Sequence, residues 1–133
     1  MTVQNSVAVR NAEGDGWESA MGVSAKVQLW TGAQPANCAA AEAGTKLAEF
    51  ALVSDWSPAG AAGAKTLANL PLTTTGLAVG SAGHYRFVDS AGTTCHEQGS
   101  VGTSGTDMII DNASIAIGQT VNITAYTKTW PGA

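Results

Sequence analysis

Two cysteines, two histidines and a few turn-flanking aspartates are the residues of this chain whose types and spacing could do chemistry. Cys38 and Cys95 lie far apart and neither belongs to a C-x-x-C pair, so a metal site has weak support. His96 follows Cys95 directly, but neighbouring residues on a strand point to opposite faces, which works against the two sharing an ion. Three states are open to the thiols: a disulfide within the chain, one between chains, or two free sulfhydryls. An internal bond would close a long loop, worth about 3–4 kcal/mol in the chain-entropy treatment. It would not persist in a reducing cytoplasm but would form in an oxidising medium. If the loop bearing Cys38 folds back over the strand bearing Cys95, the sulfurs meet without moving a strand out of register.

Asp89, Asp107 and Asp111 sit beside turns, and a calcium site would need several such carboxylates to converge. With no EF-hand spacing and no dense D-x-D run, solvated turn carboxylates are the favoured reading. His84 and His96 lie across a hairpin with Ser90 nearby, yet no G-x-S-x-G or equivalent context supplies a hydrolytic nucleophile. Asn112 in NAS and Asn122 in NIT match the glycosylation pattern, but MTVQNSVAVRN lacks the features of a secretory leader that would bring the chain to that machinery. The residues therefore assign no catalytic group, no cofactor and no metal, and a non-enzymatic role is expected.

Charged residues make up 12% of the 133, about half the usual share, while the apolar fraction of 44% is ordinary. Ala, Gly, Ser and Thr fill the deficit. A surface of small neutral groups has little electrostatic repulsion to keep neighbours apart, which favours packing against copies of itself or a scaffold. A symmetric homo-oligomer, with a trimer as the leading state, follows as an expectation. The net charge is −4, and Arg10, Lys26, Lys46, Lys65, Arg86 and Lys128 are scattered singly. No basic stripe exists to neutralise phosphates, so nucleic acid is not an expected partner. No apolar stretch approaches membrane-spanning length, so no membrane partner is expected either.

The elements that must position these residues read as one all-β unit. From Asn5 to Met21 the pattern is loosely helical, with Gly14 and Gly16 each costing about 1 kcal/mol relative to Ala, so the helix is expected to be short or broken near Gly14. Residues 1–22 are read as an arm or short helix outside the core, contacting another subunit, and 23–133 as the β domain. AKVQLW (25–30) and LAEFALVS (47–54) are strands, with a Pro35-containing loop between them. PAGAAGAK (58–65) reads as an exposed loop suited to a neighbour, followed by short strands around 66–72 and 76–79. HYRFVD and TCHEQGSV flank the SAGT turn as a hairpin, and MIID and VNITAYTKTW complete the chain. In the last run Val121, Ile123 and Ala125 share one face and Asn122, Thr124 and Tyr126 the other. The spacing predicts an antiparallel β-sandwich of about seven or eight strands with an N-terminal arm or short helix.

Four tryptophans, Trp17, Trp30, Trp56 and Trp130, are many for this length. Those at strand ends and corners are candidates either for an interface or for plugs of the core. The combination of LWTGAQPANCAAAEAGTKLAEF (29–50), HYRFVDSAGTT (84–94) and GSVGTSGTDMIIDNASIAIGQTVNITAYT (99–127) resembles small virion-associated proteins of tailed bacteriophages. The likeness covers nearly the whole chain from Ala25 onward, while EGDGW (13–17) departs from the more regular helical segment of that family. It implies a structural component of the particle, decorating the capsid or sheathing the neck or collar. Such a chain is made in the host bacterial cytoplasm, and its partners are capsid, portal or neck proteins. The alternative is a carbohydrate-binding β-sandwich of a tail or head fibre, with Trp and Tyr stacking on sugar rings.

Overall fold

A computed structural model describes residues 3–131. Helix α1 (Val7–Met21) starts where the Ser6 hydroxyl accepts from the Val9 N–H at 3.2 Å. It ends at Gly22, whose φ of 83° lets its N–H donate back to Glu18 O at 3.2 Å. Contrary to the expected break, the helix runs straight through Gly14. That residue is buried where a Cβ would sit 2.6 Å from Lys65 Cγ and 3.0 Å from the Trp130 ring. Close packing outweighs weak helix propensity there. Met21 is buried in the core and Trp17 packs against it, so the segment read as an outlying arm is part of the domain's packing.

The strands are β1 (Lys26–Thr31), β2 (Lys46–Ala51), β3 (Ala64–Thr66), β4 (Leu72–Thr75), β5 (Gly80–Val88), β6 (Cys95–Gly102), β7 (Met108–Ile110), β8 (Ser114–Ile115) and β9 (Thr120–Thr129). The chain is β-rich with one helix, and its strands form a single curled sheet in the order β2-β1-β5-β6-β7-β9-β3. β4 pairs with β9, and β8 pairs with the start of β5. Every pairing is antiparallel except β6 with β7, which makes the sheet mixed where a purely antiparallel sandwich was expected. The path curls until β4 meets β2: Thr74 Oγ1 donates to Glu49 O at 3.0 Å and Leu77 N–H to Leu47 O at 2.7 Å. The core inside the curl holds Val27, Leu29, Leu47, Phe87, Met108, Ile110, Ile115, Val121 and Ile123, all essentially inaccessible. Residues 76–79, read as a strand, form the connection between β4 and β5. The 58–65 loop, read as free for a neighbour, lies under α1: Gly63 N–H donates to Asn11 Oδ1 and Gly60 N–H to Asp15 Oδ1, both at 2.8 Å.

Two bulges reset which face a side chain takes. Along β9, Ile109 opposes Ala125 but Ile110 opposes Ile123, leaving Thr124 as an extra residue. Beyond it the alternation flips, so Tyr126 is buried and Ala125 exposed, the reverse of the strict period-two reading. In the β5–β6 hairpin Phe87 opposes Glu97 and Val88 opposes Cys95, leaving His96 bulged and exposed.

Candidate functional site

His84, Arg86 and Gln98 alternate with core residues, a pattern that ordinarily puts them in water. Instead all of His84–Val88 is buried, because residues 32–45 cross the outer face of β5 and β6 as a strap. Register sets Glu49, Gln28, Arg86 and Gln98 side by side across β2, β1, β5 and β6. Gln28 Nε2 donates to Glu49 Oε2 at 2.8 Å, Arg86 Nη2 to Gln98 Oε1 at 3.0 Å, and Trp30 Nε1 to Gln28 Oε1 at 3.1 Å. The strap supplies the remaining partners: Gln98 Nε2 donates to Pro35 O at 2.8 Å and Arg86 Nη2 to Ala40 O at 2.9 Å. Glu42 reaches down from it, with Oε2 at 2.6 Å from His84 Nε2 and 2.9 Å from Arg86 Nε. These contacts offset much of the cost of burying the polar groups, although Glu42 Oε1 and Arg86 Nε have no hydrogen-bond partner.

His84 Nδ1 lies 3.1 Å from Gly32 O, so both ring nitrogens face oxygen acceptors. A general base needs a free nitrogen aimed at a nucleophile, and the ring is instead engaged by the strap on both sides. Ser90 lies in the hairpin turn and His96 in the bulge, so the structure does not bring the three together as a triad. The aspartates serve three separate turns. Asp89 Oδ1 accepts from Thr93 N–H at 2.9 Å and Thr94 N–H at 3.3 Å, bonds that hold its carboxyl below the usual range. Asp107 Oδ2 takes Ser100 N–H at 3.0 Å, and Asp111 Oδ1 takes Asn122 N–H at 3.1 Å. Among the described residues no group of three or more His, Cys, Asp or Glu is placed to hold a metal ion.

A second polar centre sits where α1 meets β5, β6 and β9. Glu97 Oε2 accepts from Tyr85 Oη at 2.8 Å and from the Tyr126 hydroxyl, while Oε1 accepts from Trp17 Nε1 at 3.0 Å and from the Lys128 ammonium. Lys128 Nζ also lies 5.7 Å from the ring centres of both Trp17 and Trp130. Burial pushes both phenols well above their ordinary value, and the Glu97 charge adds to it. A cleft of about 370 Å³ opens beside this centre, lined by Tyr85, Glu97, Gln98, Asp107, Tyr126 and Lys128 among others.

Of the four indoles, Trp56 is 1% exposed and donates to Gly22 O at 2.9 Å, so it fills the core of the chain. Trp17 is the hub of the aromatic cluster, with ring centres 5.2 Å from Trp56, 5.6 Å from Phe87 and 5.8 Å from Trp130. Trp30 and Trp130 are half-buried and keep an outward surface. Both tyrosines are buried, so the rings of this centre are turned inward rather than laid out as a stacking platform.

The cysteines are brought together. Cys38, in the strap, and Cys95, at the start of β6, have their sulfurs 2.8 Å apart, and each is half-buried. Burial, followed by the hydrogen bond with Cys38, pushes the Cys95 thiol up to about 12. Sequence reasoning missed Glu42, Glu97 and Lys65; an acidic residue directly after a run of three alanines, or an isolated lysine, carries no local sign of burial. No protein-family model, curated protein or solved structure matches the chain.

Proposed function

We propose that this chain is a structural protein of a tailed-bacteriophage particle, which decorates the capsid or sheathes the neck and stabilises the particle through contacts with capsid, portal or neck proteins and with its own copies. The observation that carries this reading is a rigid aliphatic rim. Leu77, Val79 and Ile117 are 52%, 72% and 73% exposed. They stand on two connections locked together by backbone bonds: Gly76 N–H donates to Gln119 O at 2.8 Å and Gly118 N–H to Gly76 O at 2.9 Å. Gly76 has no room for a side chain, since a Cβ would fall 2.1 Å from Ala116 O. Apolar side chains held firmly outward on a surface with few charges lose little entropy on docking and gain by leaving water. The resemblance in sequence to virion-associated proteins points the same way.

The test is sedimentation of the purified chain, alone and with particles that lack it. The expected result is self-association or particle binding that the combined Leu77→Ser, Val79→Ser and Ile117→Ser substitutions abolish while the melting temperature stays put, exposed changes being worth about ±0.5 kcal/mol each. A chain that stays monomeric and binds no particle refutes the reading.

A further inference from the structure

We propose that Cys38 and Cys95 form an oxidisable lock on the strap, so that the redox state of the chain's surroundings sets how readily residues 32–45 lift from the buried His84–Arg86–Glu42 cluster. This inference is independent of the virion reading. Three observations carry it. The sulfurs are in contact at 2.8 Å across the gap between strap and sheet. The His96 bulge is what aims Cys95 at the strap: counted from Gln98, strict alternation would turn residue 95 inward, whereas the bulge sets it opposite Val88 on the outer face. Finally, Cys38 stands between the main anchor points of the strap, with Pro35 O held by Gln98 on one side and Ala40 O held by Arg86 on the other.

The oxidant is a small disulfide of the glutathione type. The Cys38 thiol loses its proton and its sulfur attacks one sulfur of that disulfide; the external S–S bond breaks and one small thiolate leaves, taking up a proton. Cys95, held protonated by its burial, resolves the mixed disulfide: it gives up its proton, its sulfur bonds to Cys38 Sγ, and the second small thiolate departs. The two cysteines are oxidised by two electrons together, and the small disulfide is reduced to two thiols. In the reduced chain no covalent link holds the strap, which rests on hydrogen bonds and the Glu42–Arg86 ion pair, contacts of the kind that open locally without global unfolding. In the oxidised chain a covalent link joins the middle of the strap to the end of β6.

The experiment incubates the purified chain in glutathione buffers from fully reduced to fully oxidised, alkylates free thiols before denaturation, and reads mass and amide hydrogen exchange. The expected result is a monomer lighter by two hydrogens with a Cys38–Cys95 peptide, and amide exchange across 32–45 at least about tenfold slower than in the reduced chain. Cys38→Ser, compared with the reduced wild type for its melting temperature, should exchange at the reduced rate in every buffer. Full alkylation of both cysteines in oxidised glutathione overturns the proposal, as does a crosslink between chains. So does an internal bond that leaves exchange in the strap unchanged. The wild-type comparison decides the matter even if the serine variant does not fold.

Discussion

Tyr85 and Tyr126 are the only tyrosines in the chain, and both donate to Glu97 from buried positions. Their folded pKa values are raised, so above about pH 10, where unfolded phenols ionise, the unfolded chain releases protons that the native chain retains. The stability these groups contribute is complete below that pH and is lost as pH rises beyond it. Phenolate absorbance in an alkaline titration should therefore appear in one cooperative step that coincides with loss of the circular dichroism of the sheet. A phenolate signal developing while the native spectrum persists would show that the hydroxyls reach solvent in the folded protein. At the acid end, the Gly60 N–H, followed by the Lys65 ammonium, holds Asp15 below the ordinary carboxylate range. Its contribution is thus present above that range and is lost as pH falls through the depressed value.

Helix α1 is set on the sheet by residues that local propensity would not choose. Lys65 projects from β3 with its side chain 1% exposed, and its ammonium lies 2.9 Å from Asp15 and 2.8 Å from Glu18, both on α1. Burial would lower the lysine, but the two carboxylates outweigh it and hold it charged above its usual value. The two glycines of the helix then separate into opposite roles. Gly14→Ala gains helix propensity but drives a methyl into the stem of Lys65, and the expected net loss is about 1–3 kcal/mol of overpacking. Gly16 has nothing within 4 Å of its Cβ position, and Gly16→Ala should stabilise by up to about 1 kcal/mol. Chemical denaturation of the two variants checks both signs; equal effects would mean that Lys65 does not press on the helix.

For the whole molecule, the aromatic cluster ties α1 to the sheet. Trp17 bridges Trp56, Phe87, Tyr126 and Trp130, and Met21 is 3% exposed beneath it. Removing residues 1–22 uncovers those rings, takes one donor from Glu97 and strands the Lys65 ammonium, a combination of losses far larger than a marginal domain withstands. The expected product is an unfolded or aggregating chain by circular dichroism and light scattering. A truncated domain with native melting would show that the helix is an appendage.

Much of this architecture was legible in the amino-acid sequence because it rests on short-range patterns. The strands beginning near Lys26, Leu47 and Val121 and the His84–Val88 part of β5 follow from alternating apolar and polar residues, and the hairpin turn at 89–94 from its Gly and Asp, whereas the first four residues of β5, from Gly80, carry no such signal. Cys38 and Cys95 were legible as a pair whose state local reasoning left open. Tertiary structure alone decided which faces are buried. A single bulge at Thr124 exchanges the inward residues of β9, and another at His96 turns Cys95 toward the strap, although neither residue type marks a bulge. The sheet is one curled path because β7 inserts parallel to β6 between it and β9, an assignment that depends on contacts remote in the chain. Likewise Arg86 and Lys65 carry charge in the sequence and His84 is polar, and all three would be read as solvated. They can be buried because distant carboxylates at Glu42, Asp15 and Glu18 lie beside them, and only the folded chain brings those groups within reach.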